Sequence, residues 1–188
     1  MEAKTLNEQL EEREDPHFRS KQQEYDCATE ILPYLYLAGE GACAPDNLKS
    51  LGVTLVINVA EECRSKVYHE RDGINELKLP IMDRVGDEHQ FDTFYKLFQH
   101  IDDIAQTKGK CIIHCKRGRS RSATIVIAYL MYKLNYTLND AFHHVKERRK
   151  IIGPHYDLKL QLLHWERYLN KSATNTLDVA HFIGRDYS

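Results

Sequence analysis

A chain of 188 residues is long enough for one domain with a sizeable core and short extensions, and its formal net charge of −2 gives no nucleic-acid signature. Hydrophobic residues make up 42% of it, ordinary for a soluble globular protein, yet no apolar run approaches the roughly 18 residues that a membrane span needs. The five cysteines, Cys27, Cys43, Cys63, Cys111 and Cys115, are odd in number and form no metal-like Cys-x-x-Cys pair, which points to a reducing compartment: the cytoplasm, and the nucleus as well.

Residues 1–26 are charged and polar, with only Leu6 and Leu10 at helical spacing, and are expected to form a solvated helix or a disordered arm. The Glu-rich start, Met1 to Arg13, lacks the apolar core of a secretory signal. A domain is expected over residues 27–170. Ile31 to Leu37 reads as one extended stretch around Pro33, followed by a turn at Gly39–Gly41 and a short helix from Asp46 to Leu51 that Gly52 ends. Val53 to Val59 is almost continuously apolar and β-branched, the pattern of a buried parallel strand. Leu77, Leu79 and Ile81 alternate in a further strand.

Asp83 follows that strand, in a loop running to about His89. Phe91, Phe94, Phe98, Ile101 and Ala105 recur at three- and four-residue steps and predict an amphipathic helix. Gly109 turns the chain into a strand from Cys111 to His114. From Ala123 to Leu134 the sequence is apolar on nearly every side, so this helix should be central. Thr137 with Asp140 reads as a capping box for a helix running to about Lys150, and Gly153-Pro154 breaks it. Leu158, Leu162, Trp165 and Leu169 stripe a last helix. Residues 171–188 are a polar tail whose Ala180, Phe182 and Ile183 are too few for another domain. Strands alternating with helices early, and helices dominating late, predict an α/β fold. It would be a single compact domain with a short, largely parallel central sheet flanked by helices.

One stretch stands apart: Cys111-Ile112-Ile113-His114-Cys115-Lys116-Arg117-Gly118-Arg119-Ser120-Arg121-Ser122-Ala123. It reads as strand, tight loop and helix. A loop entering a helix points its backbone N–H groups into one concavity and adds the positive end of the helix dipole, so it binds an anion. A thiol in such a setting is drawn toward thiolate, and an arginine fork can grip two oxygens of a phosphate. Cys115 opens the loop and Arg121 closes it, so a nucleophile and an oxyanion clamp face the same ligand. Phosphate monoester hydrolysis also needs a proton for the leaving oxygen. Asp83 is the candidate, because its loop opens on the same sheet edge, with Asp87 and then Glu88 behind it. Nothing in this chemistry requires a metal or a cofactor, and the ten histidines are scattered.

With His114 before the cysteine and Ser122 after the arginine, the Cys-x5-Arg spacing resembles that of the cysteine-dependent protein tyrosine phosphatases, and within them the dual-specificity group. The resemblance extends over roughly residues 27–170 and includes Tyr34-Leu35-Tyr36-Leu37, Asn58 and Ala128-Tyr129-Leu130-Met131. It implies a protein tyrosine phosphatase-like fold and a phosphocysteine intermediate on Cys115. It further implies phosphate binding by residues Lys116, Arg117, Gly118, Arg119, Ser120 and Arg121, and a general acid at about the distance of Asp83. Ser122 would stabilise the departing sulfur, and His114 would orient the loop. Two departures stand out: Arg117, where the family often has a small or acidic residue, and Pro154-His155, where many members brace the loop with Pro-Asn.

Tyrosine-only phosphatases deepen their pocket with an aromatic-and-basic loop, and none is evident before Tyr34. The expected partner is therefore a phosphorylated protein carrying phosphotyrosine, phosphoserine or phosphothreonine, with no nucleic acid bound and no membrane span. Lys116, Arg117 and Arg119 keep a non-protein phosphate open as an alternative, such as a phosphoinositide or an RNA 5′ end. Arg148 and Arg149 are candidates for contacting a second phosphate. A non-catalytic phosphoprotein-binding module is the third reading, and the joint presence of Cys115, Arg121 and Asp83 weighs against it.

Overall fold

Successive residues of a strand point to opposite faces of a sheet, and here both faces are apolar. Leu35, Leu37, Ile57, Cys111 and Ile113 enter one buried cluster, while Tyr36, Ala38, Val56 and Ile112 enter another. A sheet so composed must be covered on both sides. The computed structural model describes residues 22–66, 68, 73–82, 91–171 and 178–184. In it, β1 (Thr29–Leu32), β2 (Leu35–Gly39), β3 (Leu55–Asn58), β4 (Asn75–Lys78) and β5 (Cys111–Cys115) form one sheet in the order β1-β2-β5-β3-β4. All neighbouring pairs are parallel except β1 with β2. The architecture is thus a mixed α/β domain with a mostly parallel five-stranded sheet.

Two strand expectations need correction. Residues 31–37 are not one extended stretch but the heart of an antiparallel hairpin, with Pro33 and Tyr34 as its turn. Proline presets the φ that a turn needs, and the apolar pattern on either side of it is the same for one long strand or two paired ones. The strand expected at Leu77–Ile81 lies earlier, at Asn75–Lys78. Leu79 N and Ile81 N still donate to Asn58 O (3.0 Å) and Val59 O (3.1 Å), and Pro80 between them lies on the sheet's edge strand, where the N–H it lacks would face away from β3.

The helices are α1 (Pro45–Leu51), α2 (Phe91–Gln106), α3 (Arg121–Leu134), α4 (Leu138–Arg148), α5 (Tyr156–Asn170) and α6 (Val179–Gly184). Gly52 ends α1 in the left-handed conformation, at φ 72°. Thr137 caps α4, its Oγ1 accepting from Asp140 N at 3.1 Å. Leu48 of α1 packs in the smaller cluster; α2 to α5 pack on the opposite face, where α3 is buried almost throughout. Trp165 of α5 meets Phe94 and Phe98 of α2, with ring centroids 5.7 and 5.8 Å apart, and its Nε1 donates to Ala128 O of α3 at 3.1 Å. Within 171–188, α6 returns to the domain, with Phe182 buried against Phe142 at 5.4 Å. At the other end, residues 22–26 form a helical turn ahead of β1. No helix among the described residues is long and apolar enough to cross a membrane.

Candidate active site

The parallel strands β2, β5, β3 and β4 all end at one edge, with Gly39, Cys115, Asn58 and Lys78 as their last residues. β5 is central, so the loop from Cys115 to Arg121 leaves the middle of that edge. Its peptide groups are held from outside, one after another. Lys116 O accepts from Glu40 N (3.2 Å), Arg117 O from Arg149 Nη2 (3.3 Å) and Gly118 O from Arg149 Nε (2.9 Å). Arg119 O accepts from Gly153 N (3.0 Å), and Ser120 O from Thr124 N (2.8 Å) and Thr124 Oγ1 (2.9 Å). The C=O and N–H of a trans peptide point in opposite directions. Five consecutive carbonyls turned outward therefore turn the N–H groups of residues 117 to 121 to the concave side. That is an anion cradle built from main chain.

Gly118 is required at its place for two reasons. Its φ is 67°, and a Cβ there would lie 2.4 Å from Ala38 C and 2.5 Å from Ala38 O. Beneath the loop, Cys115 is 3% exposed and Ser122 Oγ donates to its Sγ at 3.2 Å. α3 begins at Arg121 after Ser120, so Ser122 lies within the helix rather than capping it, and its hydroxyl faces the thiol. His114 is buried, its Nδ1 3.4 Å from Cys115 O, and burial holds its imidazole below the usual value and hence neutral.

Arg121 meets a partner that sequence reasoning missed. Its Nη1 donates to Glu62 Oε2 at 2.7 Å and its Nη2 to Glu62 Oε1, a bidentate pair. The hydrogen bond from Arg121 pulls the Glu62 carboxyl down to about 2. Glu62 is no passing surface charge, because the loop that carries it is tied down. Lys78 Nζ donates to Glu61 O (3.0 Å) and Cys63 O (2.8 Å), and Asn58 Nδ2 donates to Cys63 O (3.1 Å). The available signal was its position: Glu61-Glu62 lies just past β3, at the carboxyl edge where such sheets bind ligands.

Of the basic loop residues, Lys116 pairs with Glu40 at 2.6 Å, and Arg117 stacks its guanidinium 5.7 Å from the Tyr25 ring. Ser120 Oγ accepts from His155 N at 3.0 Å, so the Pro154-His155 corner braces the loop through main chain and needs no asparagine side chain to do so. Arg149 is not placed to take a second phosphate: it is 4% exposed and committed to the back of the loop. Arg148 is exposed and donates to His144 O at 3.0 Å. The structure thus gathers His114, Cys115, Gly118, Ser120, Arg121, Ser122 and His155 around one concavity. Asp83, Asp87 and Glu88 lie outside the described residues. Among the described residues, no three His, Cys, Asp or Glu side chains are grouped to hold a metal ion.

Comparison with known proteins follows the same lines. Residues 35–168 match the family model described as the dual specificity phosphatase catalytic domain. Human dual specificity protein phosphatase 4 is 39% identical over 142 residues, which are 73% of this chain and 34% of that protein. The chain therefore spans about a third of the length of the curated relatives it matches. Human DUSP28 superposes with a TM-score of 0.68 at 29% identity, over 76% of this chain and 95% of that one. Human tyrosine phosphatase-like serine/threonine/tyrosine-interacting protein does so at 0.68 and 30%, over 76% and 97%. The chain belongs to the dual-specificity phosphatase family of the protein tyrosine phosphatase superfamily.

Proposed function

We propose that this protein hydrolyses phosphomonoesters through a phosphocysteine on Cys115, with phosphotyrosine and phosphoserine or phosphothreonine of proteins as substrates. The observation that carries the reading is a buried thiol, hydrogen-bonded by Ser122, at the base of a cradle of inward N–H groups. Non-bridging phosphate oxygens accept from the amides of residues 117–121 and from the Arg121 guanidinium. The sulfur attacks phosphorus as the ester P–O bond breaks, and Asp83 gives its proton to the leaving oxygen. Water then attacks the phosphocysteine, its proton returns to Asp83, and the sulfur departs as thiolate stabilised by the Ser122 hydroxyl. The bonds from Leu79 and Ile81 to the end of β3 support Asp83 in this role, because they lead the chain toward the edge where Cys115 lies.

Lys116 is engaged by Glu40, and Arg117 lies over Tyr25, so the charge about the cradle is less available than the sequence count implies. A single phosphate on a protein fits better than a phosphoinositide or an RNA 5′ end. A second reading, a phosphoprotein-binding module, draws on the neighbour whose name is tyrosine phosphatase-like and interacting. One assay separates the two. Turnover of a small aryl phosphate is expected to fall roughly a thousandfold or more in Cys115→Ser. Wild type no faster than Cys115→Ser would leave only the binding role. Asp83→Ala is expected to lose about 10²–10⁴-fold, with Asp87→Ala near wild type; the reverse order would move the acid to Asp87.

A further inference from the structure

Arg149 caps the C-terminus of α4, its N donating to Val145 O at 2.8 Å one turn beyond the helix's buried residues Leu138, Ala141, Phe142 and Val145. A charged side chain buried at the end of a helix is out of place unless its fork or its charge is used. Its guanidinium donates in two directions. Toward the loop, Nε reaches Gly118 O and Nη2 reaches Arg117 O. Away from it, Nη1 reaches Cys27 O (2.9 Å) and Thr29 Oγ1 (3.1 Å), and Nη2 reaches Tyr25 O (3.5 Å). All five acceptors are neutral.

The second direction leads to residues 25–29, which precede the matched family domain at residue 35. That segment lies close against the wall of the site. A Cβ at Gly39 would meet Tyr25 O at 2.5 Å, and one at Gly41 would meet Asp26 Oδ1 at 1.8 Å. Two glycines keep the contact open, and Arg117 covers Tyr25 from the loop side.

We propose that Arg149 is a positioning residue of the phosphate site: it holds the peptides after Arg117 and Gly118 with their N–H groups inward, and the segment 25–29 holds Arg149. The fork spans two successive carbonyls at once, which a lysine ammonium has no geometry to do. Turned the other way, either peptide would present an oxygen to an anion and repel it. The N-terminal segment is thereby a working part of the site, coupled to the cradle through one side chain.

The inference rests on the proposed phosphate site, and its test reads phosphate binding separately from turnover. Inorganic phosphate is titrated against iodoacetamide, and alkylation of Cys115 is followed by peptide mass spectrometry, since exposed Cys27 also reacts. Phosphate is expected to protect Cys115 in the wild type. Arg149→Lys, which keeps the charge and loses the fork, should need about ten- to a hundredfold more phosphate for equal protection. Its aryl phosphate KM should rise in step. Thr29→Val, which removes one acceptor, should shift both in the same direction by less. A lowered melting temperature with wild-type phosphate protection in both variants would reduce Arg149 to a core residue and overturn the proposal. If the wild type fails to turn over yet phosphate protects it and Arg149→Lys weakens that protection, the hydrolytic reading falls and the positioning role stands.

Discussion

Glu62 decides how Arg121 is presented before any ligand arrives. A guanidinium has a terminal edge, Nη1 with Nη2, and a lateral edge that includes Nε; Glu62 takes the terminal one. On the proposed function, an anion in the cradle would be gripped from the side, with the plane of the fork already fixed. Glu62→Gln should lower kcat/KM by about tenfold, through loss of orientation; steady-state kinetics on an aryl phosphate will check it, and tighter phosphate binding instead would make Glu62 a competitor of substrate. The folded carboxyl titrates near 2, below its ordinary value of 4.5. The stabilisation it contributes is therefore present above pH 4.5 and lost as pH falls toward 2. His114 works the other way. It is kept neutral by burial while an unfolded imidazole binds a proton, so stability should fall as pH drops below the usual imidazole value. Melting curves at about pH 7.5 and about pH 5.5, on either side of the ordinary imidazole value, should show that loss in the wild type, and His114→Asn should reduce it.

The loop shows what an element can and cannot declare in its sequence. Gly118→Ala should abolish phosphate protection of Cys115 and lower the melting temperature, because the new methyl meets the Ala38 backbone and the φ is positive. Ser120→Ala should slow turnover by releasing the His155 amide. The glycine, the Cys115–Arg121 spacing and the nearly continuous apolar runs of β3 and β5 were legible, because buried runs and special backbone positions are written in residue type. The hairpin at Pro33-Tyr34 was not, since one strand and two paired strands share an alternation. Pro154-His155 was marked as the bracing position, but that it braces through main chain was hidden, because an amide N–H belongs to every residue but proline. Glu62 and Arg121 are 59 positions apart, and only the sheet brings them together. The burial of Arg149 was hidden for a related reason: its neighbours along the chain are charged, and its place at the cap of α4, against the back of the loop, is what buries it.

At the scale of the molecule, the sheet separates two buried clusters of unequal size, and the larger one holds the aromatic seam of α2, α3 and α5. Trp165 is its centre, touching Phe91, Phe94, Tyr95 and Phe98 and stacking on Tyr168 at 5.6 Å. Replacing it with alanine should cost about 3–5 kcal/mol, measured by denaturant unfolding. It is the only tryptophan, so its emission should report loss of the seam directly. Comparing its transition with phosphate protection of Cys115 will show whether seam and site unfold as one unit.

The five outward carbonyls have a consequence for how such a site can change its clientele. On the proposed function, much of the hold on an anion resides in peptide groups, which every residue of the loop supplies, while the side chains of Lys116, Arg117 and Arg119 would shape what surrounds the anion. Grip and address are thus written in different alphabets. If the proposed mechanism holds, exchanging those three residues should redirect the same frame toward another phosphoester, and the chemistry at Cys115 need not be invented again.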